Sequence, residues 1–116
     1  MSEFVYHADI KASERTDDTV TLQLRVPENL YYFQGHFPAA PVLPGVVLTH
    51  WVMEYLSQYF SVDLTKFTGL SGLKFQIIIR PGYQLKLSLN RLSDEKYSFS
   101  YSSLHGQHAS GKALFE

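Results

Sequence analysis

The sequence predicts an α+β fold in which an antiparallel sheet wraps around one long central helix. At residues 35–45 a loop rich in Gly and Pro leads into an apolar stretch that continues without a helix breaker to about Ser61, which is long enough for about four helical turns. Most other segments alternate apolar and polar residues, as strands with one buried face do. Because a helix that is apolar over most of its circumference is buried, we expect it to pack against one face of the sheet.

The strands are predicted from this alternation and from the short turns between them. The pattern is clearest in residues 19–26, where every second residue is Val or Leu, and residues 14–18 are predicted as the turn before it. The predicted strands cover residues 4–10, 19–26, 69–79, 85–90, 97–102 and 109–115. Because short hairpin turns connect neighbouring strands in an antiparallel arrangement, we expect an antiparallel sheet.

Composition limits the class of protein. A chain of 116 residues with 45% hydrophobic and 18% charged residues predicts one globular domain over residues 1–116. The net charge of −1, without a run of like charges, argues against binding to nucleic acid or to an anionic membrane. No stretch is long and apolar enough to span a bilayer, and none has the order of a signal peptide. We therefore expect a cytoplasmic protein.

Two places in the central segment combine titratable side chains with a defined backbone. In the loop, glycine and fixed-φ prolines surround His36, so this histidine is predicted to have a fixed position. In the helix, His50 and Glu54 lie four residues apart and are neighbours on one polar stripe. The helix begins close to His36, so the sequence predicts that a site forms at this end of the helix.

The sequence of the central loop resembles that of a known family. Gly35-His36-Phe37-Pro38, followed by Pro41-Val42-Leu43-Pro44-Gly45-Val46, is similar to the active-site segment of the β-hydroxyacyl-ACP dehydratases of the FabA/FabZ type. A second similar segment contains Lys74-Phe75, Arg80-Pro81-Gly82 and Gln84-Leu85. The resemblance covers roughly residues 18–116 and is strongest to the ApeI-like dehydratases of aryl polyene synthesis. It implies the hotdog fold, in which a sheet wraps around a central helix.

The resemblance also implies roles for individual residues. Removal of water from a 3-hydroxyacyl thioester needs a base for the C2 proton, an acid for the departing hydroxyl and donors to the thioester oxygen. His36 matches the catalytic histidine of the family, and the backbone N–H of Gly45 matches the donor to the thioester carbonyl. The first turn of a helix favours developing negative charge, so the position of Gly45 agrees with that role. The resemblance implies no cofactor.

The acid is the one departure from the family pattern. Five residues after Gly45 the family has Asp or Glu, whereas this chain has His50. Protonated imidazole, with an ordinary pKa of about 6.5, could donate the proton. Alternatively Glu54 could act directly or orient His50, or the site could have lost dehydration. A structural role for either side chain is also open, because a helical pair at this spacing stabilises the helix by a few tenths of a kcal/mol.

Three functions follow from these alternatives. The first is a 3-hydroxyacyl-ACP dehydratase that receives its acyl group from the phosphopantetheine arm of an acyl carrier protein. The second is a hotdog thioesterase with Glu54 as its carboxylate, and the third is a non-catalytic partner of an active paralogue. The family forms dimers in which one chain supplies the histidine and the other its helix partner, so we expect a homodimer or a heterodimer with a paralogue.

The remaining histidines and the usual motifs add no further site. His7, His105 and His108 have no partner pattern in the sequence and are predicted to lie at the surface. No HxH or HExxH spacing occurs, so a metal site is not expected. A GxSxG nucleophile motif is also absent, and the chain has no Cys.

Overall fold

The computed structural model describes residues 3–34 and 41–116, and in them one α-helix packs against a six-stranded sheet. The strands are β1 (Asp9–Arg15), β2 (Thr19–Arg25), β3 (Phe67–Phe75), β4 (Gln84–Ser93), β5 (Lys96–Ser103) and β6 (Gly106–Phe115), and the helix is α1 (Gly45–Phe60). Short 3₁₀ turns occur at Tyr31–Phe33 and Leu64–Lys66. Every strand pairing is antiparallel, and the order across the sheet is β1-β2-β4-β5-β6-β3. The predicted architecture is confirmed.

The helix begins and ends where the sequence predicts. Pro44 has extended backbone angles just before Gly45, and Pro is compatible with a helix start because the first N–H groups have no acceptor within the helix. At the other end Ser61 adopts the left-handed conformation with φ of 56°, and its N–H donates to the Ser57 carbonyl at 3.1 Å. A left-handed residue just after a helix closes its last turn.

The first predicted strand is wrong in its position. β1 begins at Asp9 and includes Glu14 and Arg15, which were predicted as a turn, and it contains a bulge between Ile10 and Ala12. The backbone of Val5, within the predicted strand, pairs instead with the chain near the 3₁₀ turn at Tyr31, through bonds to the carbonyl of Asn29 and from the N–H of Tyr31. Poor periodicity in residues 4–10 agrees with this irregular pairing.

The third predicted strand is also shorter than expected. β3 ends at Phe75, and residues 76–79 leave the regular ladder although residues 77–79 are three consecutive isoleucines. Gly72 has φ of 59°, and the pairing with β6 shifts register between Ser71 and Lys74. Such irregularities interrupt a ladder without changing the apolar pattern, so the sequence did not indicate where the strand ends.

The core lies between the inner face of the sheet and the buried side of α1. Leu22, Leu87 and Tyr101 lie opposite one another on adjacent strands, and all three are fully buried. The Tyr101 hydroxyl donates to the Leu48 carbonyl of the helix at 2.7 Å. Burial, more than the nearby phenol of Tyr55, raises the pKa of Tyr101 well above its ordinary value, so this phenol stays neutral and keeps its proton for the bond to the helix.

The two edges of the sheet differ from its buried centre. β1 and β3 are the edge strands, and β3 carries exposed apolar side chains that continue into residues 77 and 78. The exposed apolar residues of this edge are Phe67, Leu70, Leu73, Phe75, Ile77 and Ile78. A long edge strand with apolar side chains is a surface on which another chain can pair. No helix among the described residues has the length and apolarity needed to cross a bilayer.

Candidate active site

An apolar cavity lies at the N-terminus of the helix. It has a volume of about 450 Å³, and Gly45 forms part of its wall. The other lining residues are Leu43, Val46, Leu48, Phe75, Gln76, Ile77, Ile78, Ile79 and His108. This volume is within the range of about 300–1,000 Å³ that is usual for small-molecule pockets. The cavity therefore places apolar surface next to the first backbone N–H groups of the helix.

The absence of a side chain at Gly45 leaves room for the ring of Phe75 at the cavity wall. A Cβ atom at this position would lie 2.7 Å from Cε1 and 2.8 Å from Cζ of Phe75, closer than real contacts allow. The ring of Phe75 therefore packs directly over the start of the helix. Because Phe75 is half exposed, its ring also lies at the boundary between the cavity and solvent.

His50 and Glu54 contact each other as the helical spacing predicts. His50 Nε2 lies 3.1 Å from Glu54 Oε1, and the side chains are 66% and 38% exposed. A third side chain joins them from outside the helix, because His7 Nε2 lies 3.2 Å from Oε1 and 3.0 Å from Oε2 of the same carboxylate. Glu54 thus lies between two imidazoles. The arrangement can orient an imidazole and can share a proton between its members.

His7 is the member of this cluster that the sequence analysis missed. It is a surface residue as predicted, with a side chain 57% exposed, but it has a partner. His7 and Glu54 are 47 residues apart in the chain, and no spacing rule connects positions so distant. The contact exists because Tyr6, the preceding residue, accepts a hydrogen bond at its carbonyl from Nε1 of the buried Trp51, at 3.1 Å.

The described residues do not bring all the predicted site residues together. Gly45 and His50 are five residues apart on the helix, which corresponds to about 7.5 Å along its axis and about 140° around it. His50 does not line the cavity that contains Gly45. His36 lies in residues 35–40, outside the described residues.

Tyr55 is the buried neighbour of this cluster. Burial, followed by the charges of Glu54 and Tyr59, raises the pKa of Tyr55 to about 12. The phenol is therefore neutral near physiological pH. Of these neighbours, only His7 and His50 can bring a positive charge to Glu54.

The prediction of a surface position for His108 is wrong. His108 is 1% exposed, and its Nδ1–H donates to the Ile77 carbonyl at 3.0 Å, because a carbonyl can only accept. Nε2 therefore accepts from the Ser103 hydroxyl at 2.6 Å. These bonds fix residues 76–79 as one wall of the cavity. His105, in the turn that precedes β6, is exposed as predicted.

Over residues 3–34 and 41–116, no three His, Asp or Glu side chains are arranged to hold a metal ion.

Comparison with known proteins gives matches over most of the chain. Residues 12–112 match the ApeI-like family, described as ApeI dehydratase. Over 74 residues the chain is 36% identical to the 3-hydroxyacyl-acyl-carrier-protein dehydratase FabZ of Chloroflexus aggregans, which covers 55% of this chain and 49% of that protein. The chain thus spans about half the length of this curated relative.

Two solved structures are similar to the whole of the described fold. One is a chain of the dehydratase heterocomplex ApeI:P from Xenorhabdus doucetiae, with a TM-score of 0.81 and 28% identity, covering 93% of this chain and 96% of that one. The other is an uncharacterized protein from Erwinia carotovora subsp. atroseptica, with a TM-score of 0.68 and 35% identity, covering 100% and 97%. The similarity in fold therefore extends over nearly the full length of both structures.

Proposed function

The chain belongs to the ApeI-like dehydratase family, and we propose that it is a 3-hydroxyacyl-ACP dehydratase of fatty-acid-like or aryl polyene synthesis. In this proposal the substrate is a 3-hydroxyacyl thioester on the phosphopantetheine arm of an acyl carrier protein. The product is the trans-2-enoyl thioester, and the reaction needs no cofactor.

The observation that carries the proposal is the cavity at the helix N-terminus. An acyl chain needs an apolar space, and the cavity of about 450 Å³ supplies it. A thioester oxygen that gains negative charge needs N–H donors, and the first turn of α1 at Gly45 borders the same cavity. One apolar pocket thus combines the two environments that the reaction needs.

The proposed chemistry transfers one proton at each end of the reacting bond. His36 takes the C2 proton, and the electrons of that bond move to the thioester carbonyl, where the Gly45 N–H stabilises the oxygen. The electrons then form the C2–C3 double bond while the C3–O bond breaks. A proton from His50 converts the departing hydroxide to water. Solvent restores the protonation states of both histidines.

Glu54 has the supporting role in this mechanism. Its carboxylate contacts His50 Nε2 at 3.1 Å, so it can orient the imidazole and stabilise its protonated form. As a thioesterase carboxylate it is less suitable, because it lies nine residues into the helix and contacts two imidazoles. We therefore assign His50 as the acid and Glu54 as its partner.

The proposed site is shared between two hotdog chains. His50 lies on a different side of α1 from the Gly45 cavity and is 66% exposed, which leaves it accessible to a second chain. The apolar edge of β3 borders the cavity and supports pairing there. The similar Xenorhabdus doucetiae structure is a heterocomplex, so we include a paralogue beside a second copy as the partner.

The identity of the product tests the proposal. The purified protein is incubated with a 3-hydroxyacyl group on holo acyl carrier protein, with acyl chains of several lengths and types. We expect absorbance of a conjugated 2-enoyl thioester and no release of free thiol. Free thiol without enoyl product would instead indicate a thioesterase. No reaction either alone or with the paralogue would indicate a non-catalytic partner.

A further inference from the structure

We propose that His7 is a positioning residue, which holds Glu54 in the orientation that directs its carboxylate to His50. The N-terminal segment, residues 3–8, then acts as a clip on the outer side of the helix. This inference rests on the proposed function for its effect on catalysis. The contact itself is tested separately from activity.

The contact of His7 restricts the carboxylate of Glu54. His7 Nε2 lies 3.0 Å from Oε2 and 3.2 Å from Oε1, so it approaches both oxygens of the carboxylate. The terminal torsion of a Glu side chain has a broad energy minimum, and an isolated carboxylate therefore rotates. A partner that approaches both oxygens limits this rotation. Oε1 is thereby kept at 3.1 Å from His50 Nε2.

The segment that carries His7 is anchored on both sides of that residue. The carbonyl of Tyr6 accepts from Nε1 of Trp51, which is fully buried in the core. Ala8, on the other side of His7, is itself buried. The residues on both sides of His7 are therefore fixed, although the imidazole is exposed. A side chain on a fixed backbone loses less entropy when it makes a defined contact.

The clip also contacts residues that precede the loop at residues 35–40. The ring of Tyr6 lies 5.3 Å from that of Tyr31 and 6.0 Å from that of Tyr32, between ring centroids. Val5 accepts a hydrogen bond from the N–H of Tyr31 at 2.9 Å. The clip thus contacts Glu54 on the helix as well as Tyr31 and Tyr32, which precede the loop.

The main structural alternative is that the contact of His7 with Glu54 is an ordinary surface ion pair. Such pairs contribute little to stability, so both interpretations allow His7→Ala to fold with a melting temperature within about 2 °C of the wild type. They differ in their consequences for the reaction. A surface pair leaves the turnover rate unchanged, whereas loss of a positioning contact lowers kcat.

The kinetic test uses His7→Ala and His7→Gln, with His105→Ala as a second exposed histidine, whose ring stacks on Tyr83. We expect kcat for dehydration to fall about tenfold in His7→Ala with KM changed by less than about twofold, since partners of catalytic groups have effects of this size. The amide N–H of Gln can donate to the carboxylate, so His7→Gln recovers part of the rate. In the Glu54→Gln background His7→Ala causes no further loss. A normal kcat in His7→Ala overturns the inference.

The contact test does not depend on activity. The ring nitrogen resonances of His50 are measured by ¹⁵N NMR at fixed pH in the wild type, His7→Ala and His105→Ala. We expect His7→Ala to move the His50 signals, because the carboxylate that they report on changes orientation, and we expect no change in His105→Ala. Unmoved His50 signals overturn the inference even in an active enzyme. Moved signals in a protein without dehydratase activity would overturn the proposed function alone.

Discussion

Among the proposed site residues, this chain departs from the family pattern at the position of the acid. His50 stands where the family pattern has a carboxylate, and Glu54 lies one turn further along the helix. The contact of 3.1 Å between them means that the chain still has a carboxylate next to the proposed donor. An imidazolium paired with a carboxylate can replace a single carboxylic acid, because both can give a proton to a leaving hydroxide.

We predict that His50→Ala lowers dehydration by at least about a hundredfold, the usual contribution of a general acid. His50→Glu should keep a sizeable share of the activity with its optimum at lower pH, because a carboxylic acid loses its proton at lower pH than imidazolium. Rates measured from pH 5 to 9 check this.

The matched comparison is Glu54→Gln, which keeps the size of the side chain but removes its charge. A partial loss agrees with an orienting role for Glu54. If Glu54→Gln were severe while His50→Ala was mild, the acid would be Glu54. Full activity in both variants would place the acid outside this helix and contradict the mechanism.

At the scale of elements, the sequence predicted most of the fold because its pattern has a simple period. Alternation located β2, β4, β5 and β6, and the apolar run from Val46 located α1. β1 and the end of β3 were misplaced, because bulges and the left-handed Gly72 interrupt the ladder without a change in hydrophobicity. Local patterns also could not predict the contact between His7 and Glu54, or the burial of His108, since both depend on distant segments.

The start of the helix offers a prediction at this scale. In Gly45→Ala the new Cβ would meet the Phe75 ring at 2.7 Å, so the ring must swing away or the helix must shift. We expect a folded protein whose kcat/KM for dehydration is about tenfold lower, because a displacement of a few tenths of an ångström to 1 Å moves the donor and the cavity wall. Circular dichroism and steady-state kinetics measure the two effects.

A double variant tests whether the loss of activity in Gly45→Ala comes from its contact with the Phe75 ring. Phe75→Ala alone removes a ring from the wall of the cavity. In this background, Gly45→Ala has no ring to displace. We therefore expect Gly45→Ala to cost much less in the Phe75→Ala background than in the wild type. Equal losses in both backgrounds would show that the added methyl group acts on the backbone donor rather than through Phe75.

For the assembled protein, we propose a site that is built from two chains. The helix turns by about 140° between Gly45 and His50, so one chain presents a cavity on one side and an exposed imidazole on another. In a symmetric dimer both chains present the same surfaces. Each site can then combine the loop of one chain with the polar stripe of its partner's helix. The apolar residues of β3 give such a pair a surface to bury.

Complementation between two inactive variants tests this assembly. His36→Ala and His50→Ala chains with different tags are produced together, and the mixed dimers are compared with each variant alone. If one chain supplies His36 and the other His50, a mixed dimer has one intact site and one site lacking both residues. Random pairing makes half of the dimers mixed, so an equal mixture should recover about a quarter of the wild-type rate, and purified mixed dimers about half.

If both residues of a site came from one chain, no mixed dimer would contain an intact site and activity would stay at the level of the single variants. A strict monomer that is active alone would contradict the shared site. If the chain is active only with a paralogue, the same experiment uses variants of this chain and of the paralogue.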